Sequence, residues 1–182
     1  MDNGASSYRR YLNGDEGAFR EIVQEYFDNL VFFIDRYVHD YATAEDIALD
    51  VFTQLVVNRH RYNFKVSLKT YLFMLGRSRA LDVLKHRRKL TMVELSEANT
   101  AGEEEALEEM ILADQRKCTV NRALSMLDAE MRVAVHLVYF EELGCEEAAK
   151  VMKKTRKQIY NLLYRAKKQL RTILGEEGAQ LL

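Results

Sequence analysis

Apolar residues recur at three- and four-residue steps through most of the chain, and no stretch alternates with the two-residue rhythm of a strand. Phe19, Ile22, Val23, Tyr26, Phe27, Leu30, Val31, Ile34, Tyr37 and Val38 form one such stripe. It predicts a long helix or two consecutive ones, with Asp15 placed to accept from the unpaired amides of the first turn. Asp40 to Thr43 interrupts the stripe, and Thr43 with Asp46 three residues on resembles a capping box. The helix expected next turns Ile47, Val51 and Leu55 inward and Asp46, Leu49, Asp50 and Thr53 outward. His60 to Ser67 has no period and reads as a loop. Leu68, Tyr71, Leu72 and Leu75 then open a helix reaching about Lys89. Arg79 lies on the extension of its apolar stripe, where it would snorkel or pair with an acid.

The last third repeats the pattern in shorter pieces. Asp128 is placed to cap a helix carrying Met131, Ala134, Val135 and Val138, which Leu143 and Gly144 end. Cys145 to Met152 reads as a short helix and Lys153-Lys154 as a tight turn. Thr155 and Gln158 have capping-box spacing at the start of the final helix. That helix has Ile159, Leu162, Leu163, Ala166, Leu170, Ile173 and Leu174 on one face. Arg156, Lys157, Tyr160, Asn161, Tyr164, Arg165 and Lys168 lie off it. Between the two parts, Leu90 to Asp114 carries eight acids and no base and reads as a linker, helical towards Glu103 to Leu112. The expected fold is all-α: two small helical domains, 1–89 and 118–182, joined by an acidic linker at 90–117, the C-terminal domain a helix-turn-helix.

Charge changes this picture. The chain has a formal net charge of -1, but the charges are segregated. Residues 59–89 hold ten bases against Asp82, and residues 150–171 hold nine bases and no acid. Residues 1–58 and 90–149 are strongly acidic. Two separate basic blocks predict two contacts with a polyanion, with acidic surfaces left for another partner. In a helix-turn-helix, the apolar stripe fixes the second helix to its domain so that the opposite face enters the major groove. Residues near its N-terminus then meet base edges, and Lys and Arg further along meet phosphates.

Cys118 and Cys145 are too few and too far apart for a disulfide framework or a metal knuckle, and free thiols fit a reducing cytoplasm. Met1 to Tyr11 has no apolar stretch, so no signal peptide is expected, and no apolar run approaches a membrane span. His39, His60, His86 and His136 do not sit at metal or catalytic spacing, and no glycine-rich phosphate loop is present. Neither enzyme activity nor a cofactor is expected.

The motifs then resemble a known family. Leu124-Ser-Met-Leu-Asp-Ala-Glu-Met-Arg132, the run Tyr139 to Ala149 and the run Ile159 to Leu170 resemble the fourth conserved region of sigma factors. Asp15 to Phe19, Ala44-Glu-Asp-Ile-Ala-Leu-Asp-Val-Phe52, Leu68 to Leu72 and Ala80 to Arg88 resemble their second region. Both regions in this order, joined by an acidic linker, resemble the extracytoplasmic-function group. The resemblance implies a cytoplasmic transcription factor, a monomer when free, whose partners are core RNA polymerase and the -10 and -35 promoter elements. It also implies an anti-sigma factor that holds it, in some cases at the inner membrane, without membrane insertion of this chain.

Carried over residue by residue, Asp46, Leu49, Asp50 and Phe52 fall on the helix that binds the polymerase clamp, with Phe52 either contact or core. Arg61, Tyr62, Asn63 and Phe64 fall on the loop that captures a flipped base, with Phe64 either stacking surface or core plug. Lys69, Arg77, Ser78, Lys85 and Arg88 fall on the helix facing the melted strand. Thr155, Arg156, Lys157, Tyr160, Asn161, Tyr164, Arg165 and Lys168 are the upstream-element candidates, with Tyr160 and Tyr164 either contacts or flank packing. The chain departs from the family pattern at Leu49, where glutamine is usual, and at Ser78, where asparagine is common. Lys153 and Lys154 stand at the turn, where glycine and an aliphatic residue are usual, which implies a looser turn or a lysine in an uncommon backbone conformation. Asp128-Ala129 replaces the usual prolines. A two-domain repressor or activator would share the helix-turn-helix but has no need of the basic block at 59–89 or its aromatic loop.

Overall fold

The computed structural model describes residues 4–94 and 122–178. The linker expected at 90–117 lies largely outside them, as does Cys118. Four helices build the first half: α1 (Ala5–Leu12), α2 (Glu16–Val38), α3 (Tyr41–Val57) and α4 (Leu68–Glu94). The second half starts with a helical turn over 122–125, followed by α5 (Ala129–Val135), a wide π-helical turn (His136–Phe140), α6 (Cys145–Met152) and α7 (Arg156–Gly178). No strand occurs among the described residues.

The long stripe is a single helix. Asp15 accepts from the Ala18 amide as expected, and α2 buries Ile22, Tyr26, Leu30, Val31, Phe33 and Ile34 against α3 and α4. Each fully buried aliphatic or aromatic side chain contributes roughly 1.5–3 kcal/mol, so this stripe is the main support of the first half. The chain reverses at His39, which takes a left-handed φ of 50°. Asp40, read from the sequence as part of a break, is the N-cap of α3. Its carboxylate accepts from the amide and the hydroxyl of Thr43, so α3 begins at Tyr41 and the Thr43–Asp46 box does not form. Ile47, Val51 and Leu55 point inward as expected. Arg79 pairs with the Gln54 amide oxygen at 3.2 Å, not with an acid.

Helix α1 has no counterpart in the sequence reading. It is held by Tyr8, whose ring is fully buried and meets Tyr62 edge-on at 5.2 Å. The Tyr8 hydroxyl donates to the Arg59 carbonyl at 2.7 Å. Asp128 precedes α5 but does not cap it with its side chain, which lies 3.7 Å from Arg165 instead.

The two halves pack together. Helix α6 lies against α4, and α5 against α2, with His136 stacked on Phe33 at 6.2 Å between ring centres.

Candidate nucleic-acid interface

The helix-turn-helix is formed by α6 and α7. The Gly144 amide donates to Glu147 Oε2 at 3.3 Å to start α6. The turn is closed by Lys154 N–H donating to the Ala149 carbonyl at 2.9 Å, and Lys153 takes a left-handed φ of 53°. The departure from glycine is thus absorbed by a strained lysine and not by a looser turn. Thr155 N–H donates to Gln158 Oε1 at 2.8 Å and Gln158 N–H returns to Thr155 Oγ1 at 3.3 Å, the expected capping box.

Burial of Ile159, Leu162, Ala166 and Leu170 fixes the rotation of α7. Arg156, Lys157, Tyr160, Asn161, Tyr164, Arg165 and Lys168 are all exposed on the other side. Tyr164 is 73% exposed, so it does not pack at the helix flank. Arg156 is already oriented: it pairs with Glu146 at 3.2 Å, donates to the Tyr160 hydroxyl at 3.1 Å and lies 5.4 Å from the Tyr160 ring centre. Such an exposed pair contributes little stability, but it narrows the directions available to the guanidinium.

In the first half, Asp46, Leu49 and Asp50 form an exposed face on α3, with Leu49 53% exposed. Phe52 is buried between Phe19 and Phe27, with ring centres 6.4 and 6.0 Å away. Of the two readings of Phe52, the core one holds: four residues past buried Ala48 and next to buried Val51, it lies on the face of α3 that packs on α2. Tyr62 also departs from its expected contact role. Its ring is buried and its hydroxyl donates to the Val66 carbonyl at 2.6 Å, so it shapes the loop from within. Phe64, with a left-handed φ of 59°, is half-buried against Tyr62 at 4.7 Å, and the Arg9 guanidinium lies 4.9 Å from its ring centre. Arg61 and Asn63 are exposed, and Asn63 Oδ1 accepts from the Lys65 amide at 3.1 Å.

Along α4, Ser78, Lys85 and Arg88 are exposed. Arg77 is half-buried beside Tyr37, whose phenol burial pushes up to about 12 despite that guanidinium. Lys69 is turned into the second half: its ammonium lies 2.9 Å from Glu141 Oε2 and donates to the Glu141 carbonyl at 2.7 Å. Beside it, Ser67 and Thr70 hydroxyls each donate to Glu147 Oε1 at 2.9 Å. No sequence pattern singled out Glu141, Glu147 or the buried His136, because their contacts with the first half reach residues 72 or more positions away.

Comparison with known proteins agrees with this architecture. Residues 22–90 match the model of sigma-70 region 2, and residues 119–170 that of sigma-70 region 4. The chain belongs to the sigma-70 family, in its extracytoplasmic-function group. It is a promoter-specificity factor of RNA polymerase, and such proteins are transcription initiation factors. RNA polymerase sigma-H factor of Pseudomonas aeruginosa is 26% identical over 167 residues, 87% of this chain and 86% of that one. ECF RNA polymerase sigma factor SigM of Bacillus subtilis is 25% identical over 156 residues, 84% and 93% of the two chains. The sigma factor RpoE of Bartonella quintana, solved with the anti-sigma factor NepR, shares the fold with a TM-score of 0.67 at 19% identity, over 87% of this chain and 97% of that one. CnrH, solved with the cytosolic domain of CnrY, gives a TM-score of 0.65 at 18% identity, over 95% and 97%. No helix among the described residues is long and apolar enough to cross a membrane.

Proposed function

We propose the following division of labour for this sigma factor. Residues 1–89 form the unit that docks on the polymerase clamp through Asp46, Leu49 and Asp50 and handles the -10 element. The loop side chains Arg61, Asn63 and Phe64 meet the flipped base, and Lys69, Arg77, Ser78, Lys85 and Arg88 follow the melted strand. Residues 118–182 read the -35 element through Thr155, Arg156, Lys157, Tyr160, Asn161, Tyr164, Arg165 and Lys168, and 90–117 is the tether. One observation carries this reading: α7 buries Ile159, Leu162, Ala166 and Leu170 on one face, while its opposite face presents seven exposed candidates without an acid among them. Such a face suits a major groove, where Arg and Lys pair with guanine edges and Asn with adenine.

Exposed Leu49, flanked by Asp46 and Asp50, gives the clamp surface an apolar centre with an acidic rim, which fits a basic partner surface. By analogy with RpoE, solved with the anti-sigma factor NepR, an anti-sigma factor holds this protein in the cytoplasm, in some settings at the inner membrane. Transcription from a randomised promoter library with core polymerase tests the function. The expected outcome is a two-element consensus that appears only when this protein is added. Changing Asp50 to Lys should weaken co-purification with polymerase without altering the fold. Tight, dimeric, sequence-specific DNA binding without polymerase would replace this reading with that of a repressor.

A further inference from the structure

Three donors on the first-half face are taken by two acids of the second half. The Lys69 ammonium is held by the carboxylate and the carbonyl of Glu141. The Ser67 and Thr70 hydroxyls converge on one oxygen of Glu147, each at 2.9 Å. The contact is enclosed: the Thr70 side chain is fully buried, Glu141 is 4% exposed and Lys69 20%. One ammonium and two hydroxyls are also the donors that grip a DNA phosphate, and a carboxylate offers them the same anionic oxygens.

We propose that Glu141 and Glu147 are an internal competitor for the promoter-DNA backbone. They occupy Ser67, Lys69 and Thr70 while the halves are packed, and a backbone phosphate takes these donors once the halves part. The inference rests on the reading of Lys69 as a DNA contact and adds how that contact is regulated. With the halves packed, Lys69 is only 20% exposed, Thr70 is fully buried and both hydroxyls face Glu147, so a phosphate cannot reach the three donors together and closure and strand engagement exclude each other.

The interface is built to be displaced. Burying the Lys69–Glu141 pair costs desolvation that works against its attraction. The polar groups around it are also poorly satisfied. Both ring nitrogens of His136 and the Nε atoms of Arg36 and Arg132 are buried without an aligned hydrogen bond, while Glu141 Oε2 has the Lys69 ammonium 2.9 Å away. His136 Nε2 reaches Glu141 Oε1 only at 3.3 Å. Each unsatisfied buried group works against closure and lowers the cost of parting the halves.

The test uses the full-length protein and a single-stranded oligonucleotide carrying the -10 sequence, titrated by fluorescence anisotropy at fixed salt. The Glu141→Gln/Glu147→Gln double variant keeps side-chain shape and hydrogen-bonding capacity but removes both negative charges. It should bind about tenfold tighter than wild type, the gain expected if the parted state rises from about a tenth to nearly all of the population. Small-angle scattering should show a larger radius of gyration. Adding Lys69→Ala should abolish the gain. Should the double variant fail a circular-dichroism check of folding, Glu141→Gln alone provides the same comparison. A variant that binds no tighter, or a gain that survives Lys69→Ala, overturns the competitor. The underlying reading is tested separately in the polymerase holoenzyme: promoter opening unaffected by Lys69→Ala would remove Lys69 from the DNA interface, whatever the anisotropy shows.

Discussion

Asn63 has two roles that substitution can separate. Its side-chain oxygen accepts from the Lys65 amide and bends the chain into the left-handed conformation of Phe64. Its amide nitrogen is left to meet a base edge. Asn63→Asp keeps the acceptor and loses the donor, whereas Asn63→Ala loses both. Extruding a base costs a few kcal/mol of unstacking that only the captured state offsets. Both variants should therefore lower permanganate reactivity in the -10 element while leaving -35 binding intact. Wild-type melting by Asn63→Asp would show that Asn63 only shapes the loop. On α7, Arg156→Ala should relax preference at one upstream base by about 1–3 kcal/mol, while Lys168→Ala should weaken all sequences alike and lower the salt slope by about one. Titrating a set of base-substituted promoters with the holoenzyme at several salt concentrations separates the two. These residues were legible because an exposed basic face opposite an apolar stripe is a property of one helix. The contact expected of Tyr62 fails and the choice left open at Phe52 falls to the core, because their burial is set by rings on α1 and α2 that lie far away in the chain.

At the level of elements, periodicity found α2 to α7, each of which carries a stripe long enough to show. Helix α1 escaped because its segment has few apolar positions and its anchor, Tyr8, is fixed by a carbonyl 51 residues away. Asp40 misled for a related reason: a residue that caps one helix also looks like the break after the previous one. A close approach of α4 and α2 was also hidden. At Gly76, a Cβ would stand 2.9 Å from Leu30 Cδ1 and 3.2 Å from Ile34 Cδ1, so α4 and α2 meet there without a side chain between them. Helix propensity alone would favour alanine at this position. The contact should reverse that preference, and Gly76→Ala should destabilise the protein by about 1–3 kcal/mol through overpacking. The urea midpoint reports it directly, and an unchanged or higher midpoint would mean that Leu30 yields at no cost.

At the level of the whole molecule, the contact between the halves was invisible in the sequence, since its partners obey no spacing. It also gives the protein a pH dependence. His136 faces Phe33 and Arg36 from α2, Lys69 from α4, and Glu141 and Phe140 from its own segment. Burial holds its imidazole below the ordinary 6.5, with Arg36 and Lys69 pushing the same way and Glu141 opposing them. Glu141 is pushed up by burial, but His136 and Lys69 outweigh this and hold it below 4.5. Both groups therefore bind protons more weakly in the packed state than when solvated. For His136, stability is fully present above 6.5 and drains away as pH falls from there towards its lowered value; for Glu141, the same loss begins near 4.5. The melting temperature should thus fall between about pH 7.5 and 5.5, a window in which the acids do not yet contribute. His136→Gln removes the titrating group while keeping a polar side chain of similar reach, so its melting temperature should change less across that window than that of the wild type. If the variant loses as much as the wild type, a different group carries the dependence, and the buried imidazole is not the proton-sensitive part of the contact.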